Sequence, residues 1–175
     1  MRITSDAETC LAAVTAGEEE TRALAAALAA ELRGGEVLSL RGDLGAGKTV
    51  FVQGLACGLG ACEPATSPTF VIVRQYPARL LLSHVDLYRL DREGVEGLGL
   101  EDLIALDSVV AIEWAERLPQ RLRRRVSFDI AIDFGAGEGE RVVRISASGR
   151  AVGDVLGRMA AALGSRSAGG KVAPR

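Results

Sequence analysis

The chain has 175 residues, of which 48% are hydrophobic and 25% are charged. This length predicts one domain, which we place at residues 1–164, with a core that needs neither a disulfide nor a metal ion. The formal charge of −2, from 21 basic and 23 acidic residues, argues against a DNA-wrapping protein. The sequence has no apolar run near the roughly 20 residues that span a bilayer, and acidic residues interrupt the segment where a signal peptide is apolar. We therefore expect a cytoplasmic protein with no membrane or DNA partner.

The metal-binding and redox-active residues are few. The cysteines are Cys10, Cys57 and Cys62, and His84 is the only histidine. A four-ligand zinc site would need all four of these side chains to converge. We expect small buried thiols in a reducing compartment instead, with no disulfide framework.

The first predicted helix covers about residues 16–33. Thr15 and Glu18 have the spacing of a capping box, and Gly34 stands where a C-terminal glycine cap is expected. Leucines recur every four residues from Leu24 onward, which predicts one buried helical face.

The later elements are predicted from shorter patterns. In chain order they are a strand over 36–41, a helix from 48 to 58, a loop over 61–68, strands over 69–76 and 79–87, a glycine-weakened helix over 92–104, a strand over 109–112, a hairpin of 125–134 with 141–147, and a helix over 151–163. Residues 165–175 contain no acidic residue and no periodicity, and we predict that they form a disordered tail.

Residues 42–49, Gly-Asp-Leu-Gly-Ala-Gly-Lys-Thr, match the phosphate-binding pattern G-x-x-x-x-G-K-[ST] directly after a predicted strand and before a predicted helix. Glycines let the backbone fold around a phosphate, and the amides of 44–49 then converge on it at a helix N-terminus. The lysine would bridge the β- and γ-phosphates, and the threonine hydroxyl would bind Mg²⁺. The predicted nucleotide-binding residues of this loop are Asp43, Leu44, Gly45, Ala46, Gly47, Lys48 and Thr49.

Two carboxylates end apolar runs and are candidates for hydrolytic chemistry. Asp86 ends the run 80–85, and Glu113 ends the run 109–112. One acid close to Mg²⁺ and another placed to orient water would divide the work of hydrolysis. The alternative for each is a surface carboxylate at the end of a strand.

Three further features allow two interpretations each. Ser-Pro-Thr-Phe at 67–70 is either a switch segment that senses the γ-phosphate or a proline turn entering a strand. Trp114, the only tryptophan, lies either near the nucleotide or over the edge of the core. The arginines Arg117, Arg121, Arg123, Arg124 and Arg125 form either a solvated charged surface or a contact for RNA phosphate, an acidic partner or a nucleotide.

Several classes of P-loop protein share such a loop. The chain contains no asparagine, so it cannot supply the usual guanine-reading segment of a GTPase, and ATP is the expected nucleotide. A small-metabolite kinase would need an acceptor pocket and an arginine-bearing lid, whereas the second half of the chain predicts a β-hairpin and mixed strands. A switch ATPase, whose hydrolysis of ATP drives a partner, is a further class. The kinase and an ATP-binding scaffold that never hydrolyses ATP stay open as alternatives.

Four motifs in order make the chain similar to the TsaE (YjeE) family. They are the loop 42–49 followed by Val-Phe, Ser-Pro-Thr-Phe at 67–70, His-Val-Asp-Leu-Tyr-Arg-Leu at 84–90, and Ile-Glu-Trp at 112–114. The resemblance extends from the helix start at 15–21 to the C-terminal helix. It implies an α/β fold, with a P-loop NTPase-like three-layer core and a mixed sheet that includes the C-terminal antiparallel hairpin.

The resemblance also implies a function. Members of the family are bacterial ATPases that use ATP and Mg²⁺ and act with TsaD and TsaB to form N6-threonylcarbamoyladenosine at position 37 of tRNA. TsaD transfers the threonylcarbamoyl group, ATP hydrolysis resets the complex, and tRNA is contacted indirectly through it. Turnover by the ATPase alone is then expected to be slow.

Where the motifs match, the roles of the family's residues can be assigned to individual residues of this chain. The resemblance implies that Thr49 and Glu113 bind Mg²⁺, that Lys48 and Asp86 support hydrolysis, and that Thr69 belongs to a switch segment. It also implies that Trp114 lies close to the nucleotide and that Thr21 lies near the adenine.

Overall fold

One mixed sheet of eight strands organises the computed structural model, which describes residues 1–5, 10–148 and 150–168. The strands are β1 (Arg2–Ser5), β2 (Cys10–Thr15), β3 (Glu36–Arg41), β4 (Val73–Tyr76), β5 (Leu81–Asp86), β6 (Ser108–Glu113), β7 (Phe128–Phe134) and β8 (Arg141–Ala147). The helices are α1 (Glu18–Glu31), α2 (Lys48–Leu59), α3 (Arg92–Glu96), α4 (Gln120–Arg123) and α5 (Arg150–Ala168), with 3-10 turns at Leu100–Leu103 and Ala115–Arg117.

The strand order is β1-β2-β8-β7-β3-β6-β5-β4. The four strands β7, β3, β6 and β5 are parallel to one another, and antiparallel strands extend the sheet on both sides. Every residue of β6 is buried, as expected for a parallel strand covered on both faces. Strands β7 and β8 pair antiparallel, as the predicted hairpin requires. The predicted α/β fold class with a mixed sheet is confirmed.

Two hydrophobic clusters make the structure three layers deep. The larger cluster packs α1, α2 and α5 against one face of the sheet, through side chains such as Leu28, Phe51 and Leu38. The smaller one packs α3, α4 and the 3-10 turns against the other face, around Val110 and Leu122. Among the described residues, no helix has both the length and the apolar character needed to cross a bilayer.

The sheet begins earlier in the chain than the sequence patterns predicted. Strands β1 and β2 precede the first helix, and β2 pairs with β8. The predicted capping box is wrong, because Thr15 is the last residue of β2 and its hydroxyl lies 2.8 Å from that of Thr21. Helix α1 starts at Glu18 and is C-capped by Leu32, two residues before Gly34.

Three other predicted boundaries change. Residues 69–72 form a turn rather than a strand, so β4 begins only at Val73. The helix predicted over 92–104 is divided into α3 and a 3-10 turn that starts after Gly99, whose φ is 61°. Helix α5 continues to Ala168 and includes the first four residues of the predicted tail. The rest of that tail, 169–175, lies outside the described residues.

Candidate functional site

The parallel strands bring the predicted carboxylates to one edge of the sheet. Asp86 and Glu113 are the last residues of β5 and β6 and are paired in the register of these strands. Glu113 is also paired with Leu40 of β3, and the glycine-rich loop 42–47 follows β3 directly. The carboxyl edge of a parallel sheet, where loops and helix N-termini meet, is the usual ligand-binding edge of such folds.

The glycine-rich loop has the backbone shape that a phosphate cradle needs. Gly45 and Gly47 have φ of 79° and 108°, a region in which side chains are unfavourable. Helix α2 begins at Lys48, so the loop ends at a helix N-terminus where free amides and the helix dipole attract an anion.

Lys48 is buried at the centre of the site. Its ammonium nitrogen donates to the carbonyl oxygens of Gly42 at 2.7 Å and Asp43 at 2.9 Å. It also lies 3.9 Å from the centre of the Trp114 ring, in a cation–π contact. Burial lowers the pKa of Lys48 below its ordinary value, although nearby carboxylates, Glu113 foremost, oppose the shift.

Glu113 is held from two sides. The Thr49 hydroxyl donates to its Oε1 at 2.8 Å, and Nε2 of His84 lies 2.8 Å from the same oxygen. His84 is fully buried, and its Nδ1 has no hydrogen-bond partner within the described part of the chain. Glu113 is therefore a buried carboxylate with a set orientation rather than a surface acid at a strand end.

Asp86 connects the sheet to the segment 67–70. Its Oδ2 accepts hydrogen bonds from the hydroxyls of Thr69 at 2.5 Å and Ser67 at 3.4 Å, and its Oδ1 accepts from the Tyr88 amide at 2.9 Å. The turn after Thr69 is strained, because the β-branched Ile72 has φ of 68°.

These groups face one cavity of about 360 Å³, a size within the range of small-molecule sites. The predicted site residues that line it are Thr21, Leu44, Gly45, Ala46, Gly47, Lys48, Thr49, Thr69, Asp86, Glu113 and Trp114. Asp43 is not among the lining residues and contributes its carbonyl to Lys48 instead. The Thr21 hydroxyl donates to the Gly17 carbonyl at 3.1 Å, so this residue faces the cavity with its hydroxyl already bonded to the protein.

The lining also includes side chains that the motifs did not assign. Tyr88 packs against Trp114 with ring centres 5.0 Å apart, and Arg141 and Glu18 come from β8 and the start of α1. Tyr88 lies two residues after Asp86 in the sequence, and this spacing could have indicated that it lines the same site. Arg141 had no such signal, because only the pairing of β8 with β7 brings it to the loop.

Three of the clustered arginines make contacts within the protein. Arg121 pairs with Glu101 at 2.5 Å, and Arg123 donates to backbone carbonyls of Leu118 and Glu116. Arg117 donates to the Leu90 carbonyl at 2.5 Å. These contacts favour the interpretation of the cluster as a charged surface over its interpretation as a contact for RNA phosphate.

The donor set at the loop fits Mg²⁺ held together with a nucleotide. Thr49 and the two carboxylates offer hard oxygen ligands, which Mg²⁺ prefers, and the ion usually completes its shell with phosphate oxygens and waters. Within the described ranges no group of three His, Cys, Asp or Glu side chains is arranged to hold a metal ion without such help.

Comparison with known proteins adds independent findings. Residues 15–143 match the family model described as "Threonylcarbamoyl adenosine biosynthesis protein TsaE". The protein named "tRNA threonylcarbamoyladenosine biosynthesis protein TsaE" from Bacillus subtilis is 41% identical over 136 residues, 77% of this chain and 84% of that protein. Its namesake from Nostoc is 38% identical over 146 residues, 81% of this chain and 88% of that protein. A crystal structure of Bacillus subtilis YdiB superimposes with a TM-score of 0.70 at 31% identity, covering 93% of this chain and 98% of that one.

Proposed function

The chain belongs to the TsaE family, and on that premise we propose that it is a Mg²⁺-dependent ATPase in the formation of N6-threonylcarbamoyladenosine at position 37 of tRNA. Its partners in this proposal are TsaD and TsaB, and tRNA is reached through their complex. Because tRNA is modified in the cytoplasm, this is where the protein is proposed to act.

One observation carries the ATPase proposal. Lys48, Thr49, Asp86 and Glu113 face a single cavity at the carboxyl edge of the sheet. The same cavity is bordered by a glycine-rich loop and the N-terminus of α2, which suit a polyphosphate. Both acids are buried. Glu113 accepts a hydrogen bond from Thr49 at the loop, and Asp86 accepts one from Thr69 in the segment 67–70, so neither is a surface carboxylate.

Each residue then has a chemical task. Lys48 leaves its carbonyl partners and donates to the β- and γ-phosphate oxygens, where its charge offsets the charge that builds up during hydrolysis. Thr49 and Glu113 would hold Mg²⁺, which supplies further charge compensation at the phosphates. Asp86, a buried carboxylate that lines the same cavity, would accept a hydrogen bond from the attacking water and so orient it. Trp114 and Tyr88, which pack against each other, line the same cavity and form its aromatic side.

The proposed link to the partners is the segment 67–70 and the residue after it. Phe70 and Val71 are 83% and 59% exposed although both are apolar. We propose that ATP orders this segment through Thr69 and so raises affinity for the TsaD–TsaB complex. A nucleotide can shift such an equilibrium only by its differential affinity for the two states.

The test is phosphate release from ATP, with and without TsaD, TsaB and tRNA from the same source. We expect stimulation by the complex, and loss of roughly 10²–10³-fold in Lys48→Ala and Glu113→Ala, as for removal of other groups that stabilise transition-state charge. Glu93→Ala is the matched control, because Glu93 is an exposed carboxylate in the first turn of α3.

Other outcomes would decide between alternatives. Label from ATP that appears on a small acceptor instead of in phosphate would identify a kinase. Tight binding without release, even with all partners present, would identify a scaffold. Equal capture of the protein by TsaD–TsaB with ATP, with ADP and without nucleotide would refute the switch.

A further inference from the structure

The hairpin of β7 and β8 ends beside the phosphate-binding loop, at the pair Phe134 and Arg141. These residues are directly opposite each other in the strand register. The guanidinium carbon of Arg141 lies 4.6 Å from the centre of the Phe134 ring, so the two side chains form a cation–π pair.

Arg141 reaches from this pair to the backbone of the loop. Its Nε donates to the carbonyl of Ala46 at 2.9 Å, and its Nη2 donates to the carbonyl of Gly45 at 3.3 Å. Its Nη1 donates to the carbonyl of Glu140 at 2.9 Å, which ties the guanidinium to the hairpin itself. The planar fork of arginine donors therefore joins two consecutive carbonyls of the loop to a strand of the central sheet.

Strand β7 supports the loop at two further points. A Cβ atom added at Gly42 would lie 2.2 Å from the carbonyl oxygen of Ile132, so the start of the loop lies against this strand. A Cβ atom added at Gly45 would lie 4.0 Å from Cζ of Phe134. The hairpin therefore packs directly against the loop.

Holding these carbonyls also sets the direction of amides. In a trans peptide the C=O and the following N–H point in opposite directions, so a fixed Ala46 carbonyl fixes the direction of the Gly47 amide. Amides of such a loop are the donors that bind phosphate oxygens. A loop already ordered in the free protein loses less conformational entropy when the ligand binds.

We propose that Arg141, supported by Phe134, is a positioning residue that holds the phosphate-binding loop in its ligand-binding shape before the nucleotide arrives. The proposal rests on the ATP site proposed above and adds a residue from a distant hairpin to it. Because Arg141 acts through the loop backbone, it strengthens nucleotide binding and leaves the chemical step at saturating ATP nearly unchanged.

The experiment compares Arg141→Met and Arg141→Lys with the control Arg144→Met. Arg144 lies on the same strand, but its guanidinium donates to Asp133 at 2.6 Å instead of to the loop. Equilibrium titrations measure Kd for ATP and for ADP, and hydrogen exchange measures the amides of 44–47 in the ligand-free protein.

For Arg141→Met we expect Kd to rise about 10-fold to 100-fold for both nucleotides, as for the loss of two hydrogen bonds. Exchange of the loop amides should become faster, and kcat at saturating ATP should change less than about threefold. Arg141→Lys should recover part of the affinity through one remaining donor, and Arg144→Met should bind as the wild type does. Phe134→Leu, which keeps both hydrogen bonds to the loop, should show a smaller effect in the same direction and serves if Arg141→Met does not fold.

Several results would overturn the proposal. Unchanged Kd and unchanged exchange in Arg141→Met would do so, and so would equal losses in the Arg141 and Arg144 variants. A loss confined to kcat would mean that Arg141 acts on the reaction itself. Wild-type protein that binds neither nucleotide would overturn the ATPase proposal as well, whereas normal binding by both wild type and Arg141→Met would overturn the positioning role alone.

Discussion

The Nε2 atom of His84 lies 2.8 Å from the Oε1 atom of Glu113, and both side chains are buried. A carboxylate oxygen only accepts, so the imidazole donates through Nε2. The same oxygen accepts from Thr49, which leaves Oε2 as the less engaged oxygen of Glu113. The only histidine of the chain therefore orients the carboxylate that is the proposed metal ligand.

His84→Met should lower phosphate release about 10-fold to 100-fold, because a hydrogen bond to a charged group contributes about 1.5–3 kcal/mol. His84→Gln should retain most of the activity, since the glutamine amide can donate from a similar position. Rates and thermal unfolding are measured on the same samples. Equal activity of the two variants, or losses that follow thermal stability alone, would contradict the role.

Trp114 should report the arrival of the nucleotide. Its ring lies 3.9 Å from the Lys48 ammonium, and the chain contains no other tryptophan. When Lys48 moves to phosphate, the charge near the indole changes, and tryptophan emission should change with it. The measurement is fluorescence during titration with ATP, with Lys48→Ala as the control that should lose the response. Constant emission in samples shown by dialysis to bind ATP would contradict this prediction.

The pH dependence of stability should carry the signature of Lys48. Its pKa is lowered in the folded protein, so the unfolded chain binds more protons in the range just below the ordinary value of 10.5. The free energy of unfolding contributed by this group therefore rises with pH through that range. Wild type and Lys48→Met are compared by denaturant unfolding at several pH values from neutral upward. The free energy of unfolding of the wild type minus that of Lys48→Met should increase as pH rises. A decrease would refute the lowered pKa.

The close packing of α1 against α2 should make the stability of the protein sensitive to a methyl group added at Gly54 of α2. A Cβ atom at Gly54 would lie 2.3 Å from the carbonyl oxygen of Arg22 and 2.7 Å from Cβ of Ala25. Gly54→Ala should therefore lower the free energy of unfolding by about 1–3 kcal/mol through overpacking. Gly157→Ala is the matched control in α5, where nothing lies within 4 Å of the new atom. That control should gain up to about 1 kcal/mol from helix propensity. Equal unfolding midpoints for the two variants would disprove the close packing.

Sequence patterns predicted the elements around the phosphate-binding loop well. Strand β3 has the predicted bounds, and α2 begins at Lys48 as expected. Both depend on local signals, namely an apolar run between glycines and a motif that needs its own backbone shape. The antiparallel pairing of β7 with β8 also follows from local signals, because two β-rich segments flank a short glycine-rich turn.

Longer-range features were not predictable in the same way. Strand β2 alternates buried and partly buried residues, but its small side chains make a weak pattern, and its partner β8 lies far along the chain. The motif at 67–70 enters a strained turn rather than a strand, and within it the Thr69 hydroxyl donates to Asp86 of β5. Only tertiary pairing decides such contacts.

The sequence by itself determined the phosphate-binding loop, the family and the candidate acids, since these are encoded by residue type and spacing over a few positions. The tertiary structure decided which groups surround them. Because β5 and β6 pair in parallel, Asp86 lies beside Glu113. The same pairing brings His84 of β5 within hydrogen-bond distance of the Glu113 carboxylate. The hairpin delivers Arg141 to a loop about a hundred residues earlier in the chain, at Ala46. Strand order makes such neighbours, and no local pattern in the chain records strand order.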